Sequence, residues 1–144
     1  MNVEIVNKSS NPNPSYKTEG SSGLDLRASL IKDIIIDPNE RVAIPTGIYL
    51  QLPELLEAQI RPRSGLALKD GITVLNTPGT IDSDYRGEIS VILINLSNKS
   101  FKISNGDRIA QIVIARVEKI TWDNIQILQK TERGEGGFGS TGKK

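Results

Sequence analysis

Apolar and polar residues alternate over short stretches along most of the chain. A period of two marks strands with one face in a core, whereas helices repeat near 3.6. Leu24, Leu26 and Ala28 alternate with Asp25 and Arg27, and Val3 to Val6 predicts an opening strand. Ile34-Ile35-Ile36 is β-branched throughout and stops at the turn sequence Asp37-Pro38-Asn39. Val42, Ile44, Ile48, Leu50 and Leu52 carry the pattern across Pro45-Thr46-Gly47. Ala58 and Ile60 predict a strand that stops before Arg63, and Ile72 to Leu75 another. Ile89, Val91 and Leu93 define one strand face and Ile92 and Ile94 the other, so both faces are expected to be buried. Ile109 to Val117 is equally β-rich, and Ile120, Trp122, Ile125 and Ile127 predict a last strand. Ser64 to Lys69 is the best candidate for a turn or two of helix.

About ten short strands separated by turns predict an all-β fold: a sandwich, barrel or jelly roll with at most one short helix. Six aromatic residues leave the core to Ile, Leu and Val. A length of 144 residues fits one domain, with a barrel over 1–129 and a distinct tail over 130–144. Five of the nine residues from Gly134 to Gly142 are Gly. Such a stretch loses the most backbone entropy on ordering, so the tail is expected to be mobile. Phe138 is the exception in it, an apolar ring in a polar run.

Two absences narrow the chemistry. The chain has no Cys and no His. Cysteine nucleophiles, Ser-His-Asp triads, thiolate or imidazole zinc sites and disulfides are excluded. A bound metal would be a hard cation held by oxygen, such as Mg²⁺. Eighteen basic against 17 acidic residues, a net charge of +1, argue against binding a nucleic-acid backbone. No signal peptide is visible at Met1-Asn2-Val3-Glu4-Ile5, and no apolar run reaches a membrane span. A cytoplasmic location and no membrane partner are expected.

Several clusters carry candidate chemistry. Gly137 to Gly142 matches G-x-G-x-x-G, but that motif must follow a strand and open a helix, and the chain ends two residues later. Arg133 to Phe138 resembles one copy of an Arg/Gly-rich RNA-binding tail, diluted by Glu135. What survives is physical: Gly-rich backbone can approach a phosphate, Ser140 and Thr141 add hydroxyl donors, Arg133 a charged one, and Phe138 can stack on a base. Arg61-Pro62-Arg63-Ser64-Gly65 precedes the expected helix, where N–H groups attract anions. Its plainer interpretation is an N-cap Ser64 beside two solvated arginines. Asn76 to Gly87 is expected to be a hairpin with turns at Pro78-Gly79 and Arg86-Gly87. Asn105-Gly106-Asp107-Arg108 is a hairpin turn by sequence, and Asp25 an acid on the wet side of a strand. Each cluster alone suits scaffold; together, phosphate donors, an Asn suited to a base edge, a tail aromatic and isolated carboxylates point to a nucleoside polyphosphate.

At this point the chain closely resembles the homotrimeric deoxyuridine triphosphatases. The family's motifs stand in order as Ser22 to Ala28, Arg61 to Ala67, Asn76 to Gly87, Asn105 to Gln111 and Arg133 to Gly142, covering nearly the whole chain. Ser22 departs from the family's frequent Ala. The resemblance implies a jelly-roll-like β-barrel, a homotrimer, and active sites at subunit boundaries. One subunit would supply Asn76 to Tyr85, a second the groups around Asp25, Ser64 and Gln111, and a third its tail as a lid.

The implied reaction is hydrolysis of dUTP to dUMP and pyrophosphate, supplying dUMP for thymidylate synthesis and keeping uracil out of DNA. Asp82 would be the general base for water attacking the α-phosphorus. Mg²⁺ would sit on the triphosphate, with Asp25 holding one of its waters. Arg63, Ser64, Gly65 and Gln111 would grip phosphate, and Arg133, Gly139, Ser140 and Thr141 the distal phosphates. Asn76 and the backbone of Gly79, Thr80, Ile81 and Asp82 would pair with uracil, Tyr85 would exclude ribose, and Phe138 would cover the base. Two alternatives share the scaffold: a dCTP deaminase, whose family uses a Glu-centred site, and a non-catalytic dUTP-binding protein.

Overall fold

A computed structural model describes residues 2–137 of the protein. Among them lie eleven strands and one helix. In chain order these are β1 (Glu4–Asn7), β2 (Leu24–Arg27), β3 (Ile34–Ile36), β4 (Arg41–Pro45), β5 (Ile48–Gln51) and β6 (Leu56–Arg61). The helix α1 (Ser64–Asp70) follows, then β7 (Ile72–Val74), β8 (Gly79–Ile81), β9 (Ser90–Asn95), β10 (Phe101–Ile103) and β11 (Arg108–Arg116). The strands form four antiparallel groups, ordered β1-β5, β10-β3, β2-β11-β6-β8 and β4-β9-β7. They wrap one aliphatic core in a jelly-roll-like fold, as the alternation predicts.

Leu26, Ile44, Ile60, Ile72, Val91, Leu93, Ile103, Ile109 and Ile112 are among its buried side chains. The second face of β9 is only half-buried at Ile92 and Ile94, not fully covered. No helix among the described residues is long and apolar enough to cross a membrane.

One polar residue organises the core edge. Asn95, fully buried, donates from Nδ2 to the carbonyls of Ile36 (2.8 Å) and Lys99 (2.7 Å). Its Oδ1 accepts from the backbone N–H (2.9 Å) and the hydroxyl (2.8 Å) of Ser97. The amide thus fixes the turn after β9 to the end of β3. Asn95→Ala strands these partners, and an unsatisfied buried group costs roughly 1–3 kcal/mol. A clear fall in the urea midpoint at fixed protein concentration is expected, and an unchanged midpoint would refute this assignment.

The structure revises four local expectations. Residues 120–127 form no strand; Ile120, Trp122, Ile125 and Ile127 are 60–85% exposed, because no edge among the described residues pairs with them. Asn76 to Gly87 is not a hairpin. β7 pairs with β9 and β8 with β6, so the chain crosses from one sheet to another through the cis Thr77–Pro78 bond. The Asn105–Asp107 turn likewise joins β10 and β11, which belong to different sheets. Lastly, Ser64 is not the N-cap of α1. Arg63 occupies that position in extended conformation and its side chain makes no capping bond.

Candidate active site

The four-stranded sheet β2-β11-β6-β8 arranges the candidate residues. Asp25 on β2 is opposite Gln111 on β11, which is opposite Arg61 on β6. Paired residues share a face, so these three polar side chains lie on the outer face. The next row, Leu24, Ile112, Ile60 and Gly79, lies on the core face. Period-two alternation therefore dictates that Asp25 and Gln111 face away from the core together.

At the β2 edge the polar groups converge. Asp25, with a side chain only 16% exposed, is held by Arg63 Nε at 3.3 Å and Arg108 Nη1 at 3.0 Å. Arg63 Nη1 also donates to the Arg108 carbonyl at 3.0 Å. Gln111 Nε2 donates to the Pro62 carbonyl at 2.9 Å, fixing the entry to α1. A β-carbon at Gly23 would fall on the Gln111 side-chain amide, so this Gly leaves the space that the amide occupies. Asp25 is thus not the solvated strand-edge acid that its setting suggests, and Arg63 is not a freely solvated arginine.

Ser64 and Gly65 are the first two residues of α1, and both are exposed. The first N–H groups of any helix lack intrahelical partners. Ser64 is thus an exposed side chain at this helix end, beside these N–H groups, and not its cap. Together they form an electropositive rim with one embedded carboxylate, suited to a hydrated polyanion.

Asn76, Gly79, Thr80, Ile81, Asp82 and Tyr85 gather at the opposite edge, on and around β8. Asn76 lies over Gly79, since a β-carbon there would come 3.2 Å from Asn76 Nδ2 and 3.3 Å from Ile60 Cβ. Bare backbone is therefore what the Asn76 amide covers. Asp82 follows β8 directly and is exposed. Its carbonyl accepts the Tyr85 N–H at 3.2 Å. Among the described residues, no Lys or Arg forms an ion pair with its carboxylate.

The two carboxylates stand apart within one chain: Asp25 on β2 and Asp82 after β8 flank opposite edges of the sheet, three strand intervals or about 14 Å apart at the usual spacing, with Gln111 on β11 and the start of α1, after β6, between them. Arg133 bonds locally, its Nε donating to the Gly136 carbonyl at 2.8 Å. Phe138, Gly139, Ser140 and Thr141 lie outside the described residues. Arg108 is the site residue that the sequence conceals. It ends a turn motif, and only the β2–β11 pairing brings it to Asp25.

An all-β fold with phosphate-type donors gathered around Asp25, and a carboxylate and an amide around β8, defines a nucleotide-handling protein. A family model described as dUTPase matches residues 9–142. The deoxyuridine 5'-triphosphate nucleotidohydrolase of Finegoldia magna is 56% identical over 142 residues, covering 99% of each chain. That of Cytophaga hutchinsonii is 57% identical, covering 98% of this chain and 92% of its own. Among solved structures, a mutant dUTPase of Staphylococcus bacteriophage 80alpha with dUpNHpp superposes with a TM-score of 0.87 at 22% identity, covering 98% of both chains. A mutant dUTPase of phage phi11 of S. aureus, studied for its structural Mg(II) ion, gives 0.81 at 17% identity over 90% of this chain and 100% of its own. The chain belongs to the dUTPase family, and its activity is the hydrolysis of dUTP.

Proposed function

We propose that the protein cleaves dUTP to dUMP and pyrophosphate with Asp82 as general base, in active sites assembled between the subunits of a homotrimer. The observation that carries this is the separation of two carboxylates across one sheet: Asp82 follows β8 at one edge, and Asp25, with its two arginines, is on β2 at the other. Apposing the β8 edge of one subunit with the β2 edge of another brings the halves together. The exposed apolar segment from Ile120 to Leu128 supports assembly, because a monomer would leave these side chains in water.

In the assembled site, Asn76 and the backbone from Gly79 through Thr80 and Ile81 to Asp82 meet the uracil edge. Backbone donors and acceptors discriminate here because a mismatched exocyclic group leaves a buried partner unpaired. Tyr85 closes against the sugar at the 2′ position. Arg63, Ser64, Gly65 and Gln111 hold phosphate oxygens, donating to charge that grows as the bond to the leaving pyrophosphate breaks. Asp82 accepts a proton from the water whose oxygen bonds to the α-phosphorus. Arg133, Phe138, Gly139, Ser140 and Thr141 form the lid over 130–144, which covers the base, clamps the distal phosphates and excludes water.

The donor set fits Mg²⁺ carried by the substrate rather than caged by protein. Asp25 is the one carboxylate in the phosphate cluster, and its two guanidinium partners oppose direct ligation of a second cation. Its oxygens suit a hydrogen bond from a metal-bound water. When bound, Mg²⁺ neutralises triphosphate charge.

Incubation with each deoxynucleoside triphosphate and UTP, with Mg²⁺ or EDTA, tests this proposal by assay of pyrophosphate and ammonia. Pyrophosphate should arise from dUTP in preference to the others, fall on adding EDTA and return with excess Mg²⁺. Ammonia from dCTP, or dUTP left intact, would overturn it.

A further inference from the structure

The segment after Asp82 is held largely by its own backbone. Arg86 Nη1 donates to the carbonyls of Ser83 (2.7 Å) and Tyr85 (2.9 Å). The Tyr85 hydroxyl turns along the chain and donates to the Glu88 carbonyl at 3.0 Å. This lays the phenol ring against Gly87. A β-carbon at Gly87 would come 2.5 Å from Tyr85 Cζ and 2.9 Å from Cε2, and closer still to the hydroxyl.

Gly87 is not among the residues with positive φ, so alanine suffers no backbone strain there. Its methyl would act by displacing the ring. Tyr85 is 44% exposed, which leaves room for the ring to swing outward.

Glu88 ties this arrangement to the core. Its carboxylate Oε1 accepts the Gly47 N–H at 2.7 Å, in the turn between β4 and β5. The next residue, Ile89, donates from its N–H to the Ile48 carbonyl (2.8 Å) and accepts the buried Thr46 hydroxyl (2.6 Å). The carbonyl that holds the Tyr85 hydroxyl is therefore itself anchored through both its own side chain and its successor.

We propose that Gly87 and Glu88 are positioning residues for sugar selection. Gly87 leaves the space in which the Tyr85 ring lies, and Glu88 fixes the acceptor that sets its tilt. This rests on Tyr85 closing against the 2′ position, as proposed above. The displaced ring no longer closes that position, so UTP gains relative to dUTP.

The test compares the ratio of kcat/KM for dUTP over UTP in Gly87→Ala, Tyr85→Ala and the double variant. Gly87→Ala should lower the ratio about ten-fold, the scale of one steric contact on an added hydroxyl. In the Tyr85→Ala background it should change nothing further, since no ring remains to displace. A merely structural role would give additive losses in both nucleotides. Glu88→Ala should act like Gly87→Ala, whereas Glu88→Gln, which keeps an acceptor for the Gly47 N–H, should retain selectivity. If Gly87→Ala does not fold, the Glu88 pair still decides the matter. A lowered ratio in Tyr85→Ala with wild-type ratios in Gly87→Ala and Glu88→Ala would overturn the inference alone. A wild-type ratio in Tyr85→Ala would overturn the sugar-exclusion role itself.

Discussion

Asp82→Asn is expected to bind dUTP with near wild-type affinity and to lose turnover by a factor on the order of 10²–10⁴, the usual contribution of a positioned general base. The substitution keeps the side chain's size and removes its proton-accepting charge. Asp82 is exposed and pairs with no Lys or Arg among the described residues, so no buried ion pair is broken. The thermal midpoint should therefore stay close to wild type. Single-turnover measurement with dUTP and Mg²⁺, alongside equilibrium binding of a non-hydrolysable analogue, separates the chemical step from binding. Unchanged kcat would remove Asp82 from the mechanism. Weakened binding with intact chemistry would make it a substrate-positioning group instead.

The second large effect concerns the tail. Truncation after Lys130 should leave a folded trimer whose kcat/KM for dUTP falls on the order of 100-fold or more, as expected when a positioning and water-excluding element is lost. Residues 131–135 and 137 are exposed, and Gly136 is only partly buried. Their hydrogen bonds are local: Gly134 N–H to the Thr131 carbonyl and Gly136 N–H to the Arg133 carbonyl. Removing them takes nothing from the aliphatic core, so the oligomeric state by size exclusion and the melting midpoint should match the full chain. A fully active truncate would show that Arg133 and the residues after it are dispensable. A truncate that falls apart into monomers would give the tail an assembly role instead of a lid role.

These two variants probe opposite kinds of information. The alternation of Leu24, Leu26 and Ala28 with Asp25 and Arg27 was enough to place the carboxylate on the outer face, because side-chain direction in a strand depends only on parity. The β-rich run from Ile109 to Val117 likewise predicted the strand that became β11, but not the outward face of Gln111: Ile109, of the same parity, is buried, because the β2 register shifts between Arg108 and Ala110. The short helix was equally legible: Pro62 ends β6, and Ser64 to Lys69 fills the turns that follow.

Pairing was not legible. The sequence from Asn76 to Gly87 looks locally like a hairpin, yet β8 leaves the sheet of β7 to join β6. Local turn chemistry says where a chain can bend, not which edge the next strand will find. The last strand failed for a related reason. Ile120, Trp122, Ile125 and Ile127 have strand-like character, but no strand among the described residues pairs with them. A strand needs a neighbour, and propensity supplies none.

By itself the sequence determined the aliphatic all-β core, the outward-facing acid, the exclusion of His and Cys chemistry, and the ordered motifs that mark the family. Only the tertiary structure decided that Arg63 and Arg108 converge on Asp25, that Gln111 faces outward beside it, that Asp25 and Asp82 flank opposite edges of one sheet, and that Tyr85 folds back over Gly87. The reason is physical. Parity and turn preferences are local properties of the backbone, whereas each of these contacts depends on which strand edges pair or on how a side chain lies within the folded turn.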